Sequence, residues 1–491
     1  MQVILAGYNI DLDALKECRK GDILLTPESI SAAYARISRS PKSIGELRKN
    51  ARHEVTRARA SNQKIIFEMG HHSVAEHAAF NFDILGISRR AIEEFERFRL
   101  CSYTEKSQRY VTLEGDYVVP EELQDKKLRA EFKRIVLLQN ELYTSLFEKI
   151  RKYNFNEMPN MAKDLKHRRL LENLAKEDAR YILSLATQTQ VGATVNARNL
   201  ELMMRRFASH HLAEVRQLGR GLFDSVKKIS PSIVLFYEAN DYDRKTYGEL
   251  LDHAEGIKFP KTSRREREVQ LVDHTKDGDD KILAALLFRV SGGNYHACLR
   301  AVRAMSRRRK LDLFKKACAR VELYDVLLRE FEYADLSYAL IVSAGSFGQL
   351  KRHRMASVTW SDYDPKLGVT IPRSVKAVRM EKEFVRVADI TVRLYEELEK
   401  GLPRIGSYIL TNAHRRRVLM KVNLRELYHI SRLREDPTAQ WDIRNTAHQM
   451  SILAKKAFPI TTMLLGGKSD YPGIYRRLYG QYPQVKEVPA P

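Results

Sequence analysis

The sequence predicts a mixed α/β (α+β) protein made of two tandem copies of one helix-rich domain. Three observations point there. The chain has 491 residues, too many for one ordinary core and suited to two domains. Hydrophobic residues make up 44% and charged residues 30%, the balance of a folded chain. Segments also recur in both halves in one order, the mark of an internal duplication.

The recurrences are specific. ISAAYARISRS (30–40) resembles ILAALLFRVSGG (282–293), and AEHAAFNFDILGISRRAIEEFERFR (75–99) resembles FEYADLSYALIVSAGSFGQLKRHR (331–354). ATVNARNLELMM (193–204) resembles MKVNLRELYHIS (420–431). The offsets are 291 − 38 = 253, 352 − 97 = 255 and 423 − 196 = 227, so the second copy has the shorter insert between its later motifs. The polar stretch 239–266, with Gly and Pro and little periodicity beyond a short helical pattern, reads as a linker. The copies are then 1–238 and 267–491.

MQVILAG opens the first copy as a strand, and EVQLVDH (268–274) opens the second. The apolar alternation AAFNFDIL reads as another strand. Ile87, Ala91, Phe95 and Phe98, spaced by three and four, predict an amphipathic helix ending near Arg97 and Arg99. Further helices are expected at 129–150, 178–190 and 196–222. In the second copy they are expected at 380–402, punctuated by Gly401 and Pro403, and at 423–434 and 439–457.

The start carries no basic leader and no run of about 18 apolar residues occurs, so neither a signal peptide nor a membrane span is expected. Four scattered cysteines without a CxxC pair argue against thiolate zinc and disulfide frameworks, and the cytoplasm is the default compartment. A formal charge of +23 favours anionic partners. The runs SRREREV (263–269), SRRRK (306–310) and HRRR (414–417) read as solvated faces.

Three stretches carry candidate chemistry. RFRLCSYTEKSQRY (97–110) sets arginines among hydroxyls, with Ser107 and Arg109 able to hold phosphate. In isolation it reads rather as a surface helix end with solvated arginines. GHHSVAEH (70–77) offers His71, His72, Glu76 and His77, but its spacing is neither HExxH nor HxxEH. Those histidines are expected to hold a loop or touch a cofactor; no metal site is expected. NLRELYHISRLR (423–434) places Asn423, Arg425, His429 and Arg434 on a mostly buried helix, either as a ligand-lined wall or as an exposed face.

Together these motifs resemble the flavin-dependent thymidylate synthases, the ThyX family. Its signature is Arg-His-Arg, seven residues, then Ser; here it stands as RFRLCSYTEKSQRY. GHHSVAEHAAFNF, NAR and NLREL…AQWDI match family blocks in family order. The resemblance implies a ThyX-like α/β fold for each copy, helix-rich around a small central sheet, with the two copies forming a pseudo-dimer. It implies reductive methylation of dUMP to dTMP with FAD as cofactor. Methylenetetrahydrofolate and NADPH would be co-substrates. A homodimer of chains would mimic a family tetramer.

Each copy departs from the family pattern in a complementary way. In the first, Glu94 replaces a Gln, Phe98 the signature His, Phe207 the catalytic Arg and Leu202 a flavin-contacting residue. The second copy replaces the nucleotide-cradling Ser and Arg by Asp362 and Asp364, and Ser407 stands where Arg180 stands in the first. Two carboxylates facing a phosphate would repel it. The resemblance therefore implies one site type divided between the copies. Arg434 would be catalytic. Gln349, Arg352, Glu105, Ser107, Gln108, Arg109 and Arg180 would bind substrate. Ser73, Glu76, Glu105, Arg352, His353, Arg354, Asn423, Arg425 and His429 would contact the flavin. The alternatives are a relative acting on another uracil-containing substrate such as RNA, and a non-catalytic descendant. Nucleic acid is the less favoured partner, because the sequence shows no aromatic stacking motif or known RNA-binding module.

Overall fold

Each half builds a four-stranded antiparallel sheet of the same topology. The computed structural model describes residues 1–18, 24–111, 115–258 and 266–484. Strands β1 (Gln2–Tyr8), β2 (Ala79–Ser88), β3 (Cys101–Glu105) and β4 (Gln188–Asn196) lie in the order β1-β2-β4-β3. In the second half β5 (Val269–His274), β6 (Asp335–Ser343), β7 (Ser357–Trp360) and β8 (Arg415–Asn423) repeat it as β5-β6-β8-β7. The strands predicted at each copy's start form as expected. The central strands alternate: Phe80, Phe82 and Ile84 are buried on β2, and Leu336, Tyr338 and Leu340 on β6.

The chain divides into two compact units. One holds Met1–Lys261 and Arg373–Thr411; the other holds Thr262–Pro372 and Asn412–Pro491. The second copy's long helix, Glu381–Gly401, thus packs in the first unit against the helix Lys126–Glu157. Their contact includes a buried polar pair, Gln139 Nε2 donating to Thr391 Oγ1 at 2.8 Å. Backbone bonds from Leu185 to the Leu410 carbonyl and from Ala186 to the Tyr408 carbonyl tie the same segments together.

Several elements differ from the sequence expectation. The helix predicted through Ile87 and Phe98 spans only Arg89–Phe95: Ile87 belongs to β2, and Ser88 caps the start by accepting from the Ala91 amide. The segment 178–190 is not one helix. A helix ends at Ala179, a 3-10 turn covers Arg180–Ile182, and β4 begins at Gln188. β-branched Thr189, Val191 and Val195 with period-two burial favour the strand. The helix expected over 196–222 is two, Ala197–Ala208 and Ala213–Val226, broken at Ser209–Leu212. Asp241–Glu255 is helical, with Asp243 paired to Arg205 and Arg206. Of the run SRREREV, residues 263–265 lie outside the described residues. HRRR is no solvated face: it lies at and within β8, and Arg416 is fully buried with its guanidinium 4.0 Å from the Tyr363 ring centroid and 4.8 Å from that of Phe347.

Candidate functional site

In the first unit the end of β3 and the turn after it bring the expected phosphate-binding residues to the helix Leu165–Ala179. Arg109 Nε donates to the Glu177 carboxylate, and Arg180 Nε donates to the Glu177 carbonyl at 3.3 Å. The Arg109 amide donates to Ser107 Oγ at 3.2 Å. Arg89 pairs with Glu105, whose carboxylate also accepts from Thr189 Oγ1 at 3.1 Å. Gln108 is buried beside them in sequence. Burial lowers the Arg180 pKa, and the neighbouring Arg89 and Arg109 guanidiniums lower it further against Tyr181 and Glu177. Three guanidiniums thus meet here, with Glu105 and Glu177 as direct partners and Glu93 and Glu96 also acting on Arg89.

Ser73 and Glu76 sit on a 3-10 turn, His72–His77, just before β2. Glu76 is committed to Arg198, with 2.6 Å between Oε1 and Nη1. His71 lies 3.4 Å from Arg39 Nη2 and His77 packs edge-on against Tyr34, so both hold the turn in place.

The second unit gathers a different set. Asn423 ends β8 and caps the helix Leu424–Arg434, accepting from the Glu426 amide at 2.9 Å. Asn423→Ala is expected to cost about 1 kcal/mol in thermal stability even without any ligand, checked by melting the apo-protein. That helix carries Arg434 to His353 and donates Nε–H to His353 Nε2 at 2.9 Å. His353 Nδ1 lies 3.4 Å from Glu426 Oε1, and the His429 ring meets the His353 ring edge-on at 5.8 Å. Accepting at Nε2 requires the proton on Nδ1, facing the carboxylate. Burial pushes the His353 pKa well below its ordinary value, and Arg434 and His429 push it further. Burial raises Glu426 against the opposing pull of His429 and Arg425. Arg425 donates to the Leu327 carbonyl at 2.6 Å and pairs with Glu332 at 2.8 Å. Arg352 and Arg354 are exposed beyond the helix Ala344–Leu350.

Gln349, on that helix, is buried, and neither end of its amide has a hydrogen-bond partner among the described residues. An orphaned buried amide costs about 1–3 kcal/mol unless a ligand satisfies it.

The corresponding positions in the first unit are filled. Glu94 stands for Gln349 and Arg90 for Gly345. Arg90 is fully buried; it bonds Glu94 at 3.0 Å, and its Nε donates to Ser407 Oγ at 3.0 Å. Burial alone would raise the Glu94 carboxyl, but His210, Arg90 and Arg97 hold it well below the usual range. Phe98 and Phe207 replace the His353–Arg434 pair as an edge-on aromatic contact at 5.8 Å. A salt bridge and two rings occupy what the second unit leaves to Gln349, His353 and Arg434.

His211 in the first unit is likewise pushed down, to about 2, by burial and then by His210 and Arg90. A histidine held neutral in the fold takes its proton first in the unfolded chain. Its stabilisation is therefore complete above about pH 6.5 and lost as pH falls below it. Thermal melts are expected to show stability falling below that pH by up to ~1.4 kcal/mol per pH unit for each of His211 and His353. His353→Gln should shed one share of the slope; an unchanged slope would contradict the assignment.

The sequence reading missed Glu426, Glu177 and Arg90. The first two are carboxylates bound to predicted arginines or histidines, and an unbalanced cluster of cations was the available signal.

Comparison with known proteins agrees with the duplicated layout. The model of the Thy1 family, described as thymidylate synthase complementing protein, matches residues 23–232 and again 270–460. A UPF0159 protein of Thermoplasma acidophilum is 22% identical over 461 residues, covering 84% of this chain and 89% of that protein. A flavin-dependent thymidylate synthase of Clostridium tetani is 30% identical over 210 residues, covering 42% of this chain and 80% of its own. Among solved structures, the Helicobacter pylori flavin-dependent thymidylate synthase ThyX, complexed with FAD and dUMP, aligns at 20% identity and a TM-score of 0.31. That alignment covers 48% of this chain and 100% of that one. No helix among the described residues is long and apolar enough to cross a membrane.

Proposed function

The chain belongs to the Thy1 family, and from that premise we propose that it methylates dUMP to dTMP, with FAD as cofactor and methylenetetrahydrofolate and NADPH as co-substrates. The observation that carries this reading is the orphaned, buried Gln349 amide on the helix preceding the His353–Arg434 pair, set against the filled counterpart at Arg90 and Glu94. One half keeps the groups that face a pyrimidine and a flavin; the other keeps the groups that hold a phosphate.

The roles follow from charge and hydrogen bonding. Arg109, Arg180 and Ser107 take the nucleotide phosphate, with Gln108 and Glu105 bordering them and Arg352 supplying a further cation; Arg109 exchanges Glu177 for the phosphate. Gln349 satisfies its amide on the nucleotide. Arg434 stabilises negative charge developing at N3 and O2 of the pyrimidine, which activates C5 toward the methylene carbon. His353, neutral and with its proton on Nδ1, fixes the Arg434 side chain from behind. FAD supplies the redox step between NADPH and the transferred carbon. The residues fit such a group: His429 and Arg354 are exposed donors with no side-chain hydrogen bond among the described residues. With Asn423, Arg425, Ser73 and Glu76 they would hold it.

The test is tritium release from [5-³H]dUMP by purified protein with methylenetetrahydrofolate, NADPH and FAD, paired with equilibrium dialysis of dUMP. The expected result is turnover with one dUMP bound per chain. Two dUMP per chain would show that Arg90 and Glu94 do not close their pocket, and no release by a flavin-loaded protein would reject the reading.

A further inference from the structure

Each unit carries a helix pair between the first and second strands of its sheet, and the two pairs treat their cations in opposite ways. In the first unit the pair is Ile44–His53 and Val55–Gln63, and all four of its arginines meet carboxylates. Arg48 and Arg52 share Asp11, with Arg52 also on Glu17; Arg57 meets Glu54 and Arg59 meets Glu28. In the second unit the pair is Tyr295–Ala304 and Arg307–Cys318. Between Tyr295 and Arg320 there are nine lysines and arginines and one acidic residue, Asp312. Only Arg303, on Asp277, and Lys310, on Asp280, form ion pairs among the described residues. Arg300, Arg307, Arg308, Arg309, Lys316 and Arg320 stand exposed without one.

An aromatic surface adjoins this face. Tyr333 is 59% exposed and stacks on Tyr295, the first residue of the basic helix pair, at 6.5 Å and 29°. The two are 38 positions apart in sequence, so only the fold brings them together. Nearby Glu332 is taken up by Arg425 and Arg329.

We propose that the Tyr295–Arg320 helix pair of the second unit, with Tyr333, is a binding face for single-stranded nucleic acid. Unpaired guanidiniums along two successive helices match a repeating phosphate backbone. An exposed ring beside them offers a stacking surface to an unpaired base. A lipid surface fits less well, because the apolar side chains Cys298, Val302, Phe314 and Cys318 of these helices are buried; the exposed Phe288, Val290, Tyr324 and Val326 lie outside the pair, and the vesicle competition below tests them. None of the residues of this face is assigned to nucleotide methylation, although Glu332 beside Tyr333 pairs with Arg425; absence of nucleic-acid binding with tritium release intact would leave that assignment standing.

The test uses the full-length protein and short fluorescein-labelled single-stranded RNA and DNA in fluorescence anisotropy over a salt series, with duplex and anionic vesicles as competitors. Binding should weaken steeply with salt. Arg307→Glu/Arg308→Glu/Arg309→Glu should weaken it by at least tenfold and flatten the salt slope by about two. Tyr333→Ala should weaken single strands several-fold and leave duplex unchanged. A reversal on the other unit, Lys166→Glu/Arg169→Glu, should change nothing, and all variants should keep wild-type melting and tritium release. Equal loss in both charge reversals, preference for vesicles, or no binding at low salt would overturn the proposal.

Discussion

Arg434→Ala is expected to lower dUMP turnover by 10²- to 10³-fold, about 3–4 kcal/mol of transition-state stabilisation. The reason is positional. The guanidinium is held through Nε by His353 Nε2 and cannot be replaced by water with the same orientation. Arg109→Ala should act differently. It removes a charge-assisted phosphate contact and should raise the KM for dUMP by about 10- to 100-fold, or 1.5–3 kcal/mol. Both are checked by tritium release at varied dUMP, with melting curves to show that the fold persists. Loss of turnover in one and of affinity in the other would assign catalysis and phosphate binding to different halves of the sequence. Wild-type kinetics in Arg434→Ala would remove the arginine from the mechanism.

Arg90→Ala is expected to be the most destabilising single change in the first unit. It leaves Glu94 buried with only His210 and Arg97 for compensation, and breaking a buried pair from one side costs about 3–5 kcal/mol. Arg90→Ala/Glu94→Gln should recover a good part of that loss, because the uncompensated charge goes with its partner. Thermal melts of both variants check this. A double variant as unstable as the single one would mean that Arg90 acts by filling space, not by balancing Glu94.

The legible parts of the fold were those with simple periodicity. β1, β2 and β5 lie in apolar or alternating runs, and the helices Lys126–Glu157, Glu381–Gly401 and Trp441–Ala457 repeat apolar residues over many turns. Local pattern failed at junctions. Ile87 continues a helical spacing into Ala91, yet it is paired in β2, because Ser88 caps the helix and ends the strand in one residue. TQTQVGATVN follows a helix without a strong breaker, and only pairing with β2 and β3 fixes it as a strand. For the site, charged residues in motifs were legible one by one, whereas their partners were not. Arg109 could be named from sequence, but Glu177, 68 positions away, could not. Arg90 was hidden because it fills a pocket that motif comparison could only describe as lacking residues.

The placement of Arg373–Thr411 in the first unit sets an order on synthesis. That unit has most of its chain once residue 261 is made, but its last helix pair closes only when residue 411 follows, 411 − 261 = 150 residues later. At roughly 5–20 residues per second the ribosome needs about 8–30 s for that interval. Throughout it the part of Lys126–Glu157 that packs on Glu381–Gly401, including Gln139, faces water or a chaperone, while its face toward Leu165–Ala179 can already be covered. The nascent protein therefore carries its first sheet finished and its longest helix waiting, and anything that shields that helix during elongation should raise the yield of folded chain.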